Sequence, residues 1–260
     1  MRGRTKLVSL AAIFAVLLTV SLVFASGVLD VSTFSFLGAP GMDEPASPGT
    51  TVFVGPRYYF KDYTLQPVGS TFTVQINIST TDALDLYTWQ VNMTWNRALL
   101  NVTGFIPGEF LARSPNQTST EVLGGVVINA INNTAGTSAA SETILGVIAG
   151  IAGPTSGRLV SVQFKVVGYG SCNLVIQTTG NLATSLLDTT GTTITYTATN
   201  GYFSNKLIGD INGDRSVDGV DFGLFAKAFG TTNVEADLNK DGSVDGVDFG
   251  LFAKNFGRSV

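Results

Sequence analysis

One 21-residue segment occurs twice near the end of this chain, and no other feature restricts the fold so tightly. DINGDRSVDGVDFGLFAKAFG starts at Asp210 and DLNKDGSVDGVDFGLFAKNFG at Asp237; the copies differ at four positions and start 27 residues apart. Each opens with oxygen-bearing side chains at alternate positions and closes on a short amphipathic stretch. That pattern suits a loop wrapped around a hard cation and followed by a helix. In the first copy, positions 1, 3, 5, 9 and 12 are Asp210, Asn212, Asp214, Asp218 and Asp221, and Ser216 at position 7 offers its backbone carbonyl. In the second they are Asp237, Asn239, Asp241, Asp245 and Asp248, with Ser243 at position 7. Calcium takes about six to eight oxygens, so the duplication predicts two calcium ions. Position 6 of such a loop takes a positive φ. Gly242 supplies it in the second copy, but the first has Arg215. A side chain there costs roughly 1 kcal/mol, so the first site is expected to bind more weakly.

After each loop, Phe222, Phe225 and Phe229, then Phe249, Phe252 and Phe256, recur at steps of three and four. That spacing places each trio on one helix face, and each helix is expected to bury its stripe against its twin. Val217 and Val244 are expected to pair across the loops. Gly230 and Gly257 stand where a helix end favours a left-handed residue.

The remaining composition narrows the function. Nine of the 19 acids lie after residue 209, and the net charge is −4. No basic patch exists to hold nucleic acid. The chain has no histidine, the commonest general base and zinc ligand. The single cysteine, Cys172, excludes an internal disulfide and reads as a buried core residue. A carboxylate pair for glycoside hydrolysis has no visible source, because Asp82, Asp85, Glu109, Glu121, Glu142 and Asp188 are scattered. The chain therefore reads as a non-enzyme.

Residues 1–26 carry Arg2, Arg4 and Lys6 ahead of the uncharged run Leu7 to Phe24, as a cleaved export signal or an uncleaved membrane anchor does. Both readings place the rest outside the cytoplasm, secreted or at the cell surface. Residues 27–50, rich in Gly and Pro, read as a linker. Residues 51–203 read as strands: Thr51–Val54, Thr71–Ile78, Leu86–Trp95, Leu100–Phe105, Gly125–Ile131, Ile144–Ala149, Arg158–Val167, Leu174–Thr178 and Thr193–Ala198. Alternating runs parted by turn residues predict a mainly β fold, an antiparallel β-sandwich of the jelly-roll or Ig-like kind. Trp89, Trp95, Phe105 and Phe110 are core aromatics or, on a sharper reading, a platform for sugar. Sequons at Asn77, Asn92, Asn101, Asn116 and Asn132 are weak glycosylation candidates. Residues 204–260 hold the repeats.

The duplicated D-x-N-x-D-x-x-V-D-x-x-D-F pair resembles a type I dockerin, a small α-helical module with two EF-hand-like calcium loops that plugs into cohesin modules of cellulosome-type assemblies. The preceding region resembles a cohesin through VGSTFTVQINIST, LYTWQVNMTWNRALLNVTGFIPGEFL, GRLVSVQFKVVGYGSCNLVIQTT and TATNGYF, although Asn96-Arg97 replaces an Asp-Pro common there. The resemblance implies partner-reading residues at Gly219, Val220, Ala226 and Lys227, and at Gly246, Val247, Ala253, Lys254 and Arg258. It also implies a non-catalytic adaptor whose partners are cohesin- or dockerin-bearing proteins. The two copies carry the same residues at matching positions, so binding in two orientations follows by symmetry. A carbohydrate-binding or adhesive module fastened by its dockerin, and head-to-tail self-association, are the other readings.

Overall fold

The computed structural model describes residues 49–111, 128–144, 149–153, 155–180 and 183–260. The export or anchor segment, nearly all of the linker, Asn116 and Glu121 lie outside the described residues. Among the described residues no helix is long and apolar enough to cross a membrane.

The strands are β1 (Thr50–Gly55), β2 (Tyr58–Phe60), β3 (Thr71–Thr80), β4 (Asp85–Thr94), β5 (Leu100–Pro107), β6 (Ile128–Asn132), β7 (Thr137–Thr143), β8 (Ile151–Ala152), β9 (Thr155–Val166), β10 (Ser171–Ile176), β11 (Ser185–Asp188), β12 (Thr197–Thr199) and β13 (Gly201–Ser204). The helices α1 (Gly219–Ala228) and α2 (Gly246–Asn255) follow. One sheet runs β12-β1-β3-β9-β5 and the other β2-β13-β10-β4-β7-β6, with β8 and β11 also paired to β4.

The period-two pattern explains the layers. On β3, Phe72, Val74, Ile76 and Ile78 are buried while Thr71, Thr73 and Gln75 are exposed. Trp89, Val91 and Met93 of β4 enter the same core. A stack of rings ties the layers together: Phe72 lies 4.1 Å from Tyr59, 5.0 Å from Phe203 and 5.3 Å from Phe164, centroid to centroid.

Among the described residues the antiparallel pattern has two exceptions. β1 pairs with β12, and β2 with β13, in parallel. The first strand breaks at Gly55-Pro56-Arg57 and the last at Asn200, and each then continues in the other sheet. Pro56 has no N–H to give to a ladder. A Cβ on Gly201 would meet Val54 Cγ1 at 2.6 Å, so the two crossing strands approach closely only because that side chain is missing.

Strands β2, β7, β8 and β11 are absent from the sequence reading. β7, TSAASET, is buried along almost its whole length, so no inward–outward alternation marks it. Of the expected strand Ile144–Ala149, Ile144 bonds to the Tyr87 carbonyl at 3.0 Å, and residues 145–148 lie outside the described set.

The sugar-platform reading is corrected, because Trp89, Trp95 and Phe110 are buried and Phe105 packs against the core. Asn92 is corrected as a glycosylation candidate: it is buried, and its Nδ2 donates to the Ala183 carbonyl at 3.0 Å. Asn77 and Asn101 are half-buried and Asn132 is exposed. Cys172 is partly buried against the core rather than inside it, and burial pushes its thiol pKa up. Glu142 faces Trp89 across the β4–β7 ladder and is buried; the Trp89 Nε1–H donates to it at 3.3 Å. Desolvation pushes its carboxyl up to about 7, against the opposing Trp89 bond.

Candidate functional site

The two loops fold by the same local rules. Asp210 Oδ1 accepts from Gly213 N at 2.7 Å and Oδ2 from Arg215 N at 3.0 Å. Asp237 accepts likewise from Lys240 N at 2.7 Å and Gly242 N at 2.9 Å. Position 9 is each helix N-cap: Asp218 accepts from Val220 N and Asp245 from Val247 N, both at 2.8 Å. Position 12 closes the capping box, since Asp221 takes the Asp218 N–H at 3.0 Å and Asp248 the Asp245 N–H at 2.9 Å. The acid side chains that start each helix thus also line its loop, where negative charge favours the helix dipole.

Carboxylate oxygens of Asp210, Asp214 and Asp221 all lie within 4.8 Å of one another. Asn212 and Asn239 hold the position-5 acids, each donating a hydrogen bond of 2.8 Å from its Nδ2 to Asp214 or Asp241. Asp210, Asp221, Asp237 and Asp248 are buried, Ser216, Asp218 and Asp245 are half-buried, and Asp214, Asp241 and Ser243 are exposed. An all-oxygen donor set with converging carboxylates fits calcium, a hard cation whose charge offsets their mutual repulsion.

Backbone strain is shared between the loops. Arg215 at position 6 has φ +78°, as the sequence predicts, but Lys240 at position 4 has φ +63°. The matching positions carry Gly242 at +101° and Gly213 at +80°. Each loop therefore holds one glycine and one side chain in the left-handed region, and Arg215 no longer gives a reason for a weaker first site.

Two packing expectations are corrected. Val217 and Val244 do not pair with each other. Val217 exchanges backbone bonds with Gly257 and Arg258, at 2.8 and 2.9 Å, and Val244 with Gly230 and Thr231, at 2.8 Å each. Each loop is thus stitched to the segment following the other helix, where Gly230 (φ +77°) and Gly257 (φ +84°) turn the chain. Of each phenylalanine trio, only Phe225 and Phe252 are buried, stacked 5.5 Å apart. Phe222, Phe229, Phe249 and Phe256 are exposed.

The outward face of the helices is consequently apolar and duplicated. Val220 is 59% exposed and Val247 58%, while Phe222 and Phe249 are each 46% exposed, with rings 6.4 Å apart. Gly219, Ala226, Lys227, Gly246, Ala253 and Lys254 are exposed as well. Arg258 is placed differently. Its guanidinium forks onto Asp62 of the sandwich, Nη1 to Oδ2 at 2.9 Å and Nη2 to Oδ1 at 3.1 Å.

That ion pair belongs to a broad contact between the helices' module and the sandwich. Glu235 accepts from Ser171 Oγ and Tyr202 Oη, both at 2.7 Å, and pairs with Lys206 Nζ at 2.6 Å. Tyr63 packs against the module's core of Leu207, Val217, Phe225, Ala236, Leu238, Val244 and Phe252. Tyr169 Oη donates to Asp210 Oδ2 at 2.5 Å. Burial raises the Glu235 pKa, but Lys206, Tyr202 and Ser171 outweigh it and hold the carboxyl below its ordinary value. None of these contacts was read from the sequence. The one available signal was the set of positions at which the copies differ.

Residues 208–256 match the family model described as the type I dockerin domain, so the loop–helix pair is a dockerin domain. No curated protein matches the chain. Among solved structures, the chain is similar to the third cohesin of ScaC from Acetivibrio cellulolyticus, in complex with the ScaB dockerin. The identity is 15%, with 60% of this chain and 98% of that one covered, at a TM-score of 0.44. It is also similar to a non-cellulosomal cohesin from the archaeon Archaeoglobus fulgidus, with 18% identity, coverage of 60% and 89%, and TM-score 0.40. A third is the seventh ScaB type I cohesin from Pseudobacteroides cellulosolvens, with 16% identity, coverage of 61% and 93%, and TM-score 0.43.

Proposed function

We propose that this chain is a non-catalytic adaptor that acts outside the cytoplasm, secreted or at the cell surface. Its dockerin domain binds two calcium ions and offers the α1–α2 face to a cohesin-bearing partner. The observation that carries the reading is the doubled apolar patch of Val220, Phe222, Val247 and Phe249, exposed to solvent on a domain of dockerin type. Identical residues from both copies flank the Phe222–Phe249 contact, which supports binding in either of two orientations related by a half-turn. The sandwich is the receiving module for a second, dockerin-bearing partner, and an assembly of this kind suits polysaccharide breakdown.

The test uses the full chain with a panel of cohesins in calorimetry, in calcium and in chelator. Calcium-dependent binding, lost on Val220→Asp with Val247→Asp and retained with either change alone, supports the two-orientation reading. Binding that survives chelation would overturn it. Size exclusion of the chain alone in calcium tests head-to-tail self-association.

A further inference from the structure

The two copies differ at residues 211/238, 213/240, 215/242 and 228/255, and most of these differences point at the sandwich. Arg215 lies over the Tyr169 ring, 5.3 Å from its centroid. Lys240 Nζ lies 4.4 Å from the Phe60 centroid and 5.4 Å from that of Tyr202. Asn255 Oδ1 takes Arg258 Nη1 at 2.5 Å, beside the Asp62 ion pair. The Ile211 carbonyl accepts from Lys206 Nζ at 3.0 Å. Among the described residues, the two side chains held at positive φ, Arg215 and Lys240, are also the two of the helices' module whose cations rest on sandwich aromatics. Meanwhile the copies keep identical residues across the exposed helix faces.

We infer that this surface is a built cis-docking seat, coupled to calcium in the first loop through Tyr169. The inference rests on the calcium reading proposed above. Tyr169 is placed to do this. Its hydroxyl donates to Asp210 Oδ2 and accepts from Leu207 N at 2.9 Å. Its ring meets Tyr63 edge-on at 5.2 Å. Asp210 is buried and is position 1 of its loop. Asp210 and the equivalent Asp237 each take two backbone donors from their own loop, and the Tyr169 hydroxyl is what the first loop adds. A hydroxyl bound to one carboxylate oxygen orients the carboxylate and fixes the direction of its remaining lone pairs. Tyr169 is thus a positioning residue for the first metal site, supplied by the other module. Linkage makes the effect reciprocal: calcium in the first loop tightens the seat, and the seat tightens calcium.

The experiment isolates each loop in the full chain by removing its exposed position-5 acid. Asp241→Ala leaves the first loop to be read, and Asp214→Ala the second. Adding Tyr169→Phe is expected to weaken calcium roughly five- to tenfold in the Asp241→Ala background, the scale of one ordinary net hydrogen bond. It should leave affinity unchanged in the Asp214→Ala background. Hydrogen exchange supplies a second readout. The Leu207 and Ile208 amides, held by Tyr169 Oη and Asp62, should slow on adding calcium in the unaltered chain and respond less in Tyr169→Phe. Equal calcium affinities with and without the hydroxyl, or equal losses in both backgrounds, overturn the coupling while leaving the calcium reading intact. No calcium uptake by the unaltered chain overturns both.

Discussion

Glu142 carries its carboxyl inside an apolar core, where desolvation lifts its pKa from 4.5 to about 7. Between those values the folded chain holds a proton that the unfolded chain has released. Stability therefore falls as pH rises through this window and stays lower above it. The full effect is about 3 kcal/mol. Glu142→Gln, which keeps an acceptor for the Trp89 indole, should stabilise the chain by up to that amount at pH 8 and by less than about 1 kcal/mol at pH 5. Urea unfolding at saturating calcium measures it; equal shifts at both pH values would count against a buried ionisable group. Arg215 is a second residue-scale case. Its left-handed backbone costs roughly 1 kcal/mol, and its contact with Tyr169 returns about 0.5–1 kcal/mol. Arg215→Gly removes both, so its net effect on stability should stay under about 1 kcal/mol in the same assay.

At the scale of elements, the sequence pattern was legible where one face of an element is buried and the other wet. β3 alternates clearly and is placed from residue type alone, and β4 keeps the alternation in its residue types although none of its residues is exposed. β7 was not, because small polar residues buried on both faces erase the alternation. The helices mix both outcomes. Periodicity put three phenylalanines of each helix on one face, but only the central pair, Phe225 and Phe252, is buried. Phe225→Ala or Phe252→Ala should therefore destabilise the dockerin domain by about 3–5 kcal/mol, the usual result of emptying a packed aromatic site. Phe222→Ala with Phe249→Ala should change stability by less than about 1 kcal/mol and abolish cohesin binding. Thermal unfolding in calcium and calorimetry separate the two behaviours. The convergence of Asp210, Asp214 and Asp221 was legible because their spacing is local. The Val217 and Val244 partners were not, because each lies across the domain's internal pseudo-symmetry.

The whole molecule is more than two modules joined by a short connection, and Arg258 decides between two roles for that join. The dockerin resemblance makes it a partner-reading residue, whereas its geometry makes it the clasp of the seat on Asp62. Burial raises the Asp62 pKa, but Arg258, Thr64 and the Ile208 N–H outweigh it and hold the carboxyl below its ordinary value. A carboxylate depressed in this way contributes stability above its unfolded pKa and loses it as pH falls through the folded value. Asp62→Asn should therefore cost about 1–3 kcal/mol at pH 7, the range for a partly exposed bidentate pair. The difference from the unaltered chain should shrink toward zero in acid. Arg258→Ala should cost a similar amount, and the double variant should cost little more than either change alone, since both remove one interaction. Cohesin affinity should be unchanged in all three. An Arg258 that instead reads the partner gives the opposite pattern: Arg258→Ala weakens cohesin binding, Asp62→Asn does not, and denaturant unfolding in calcium is the same for every variant.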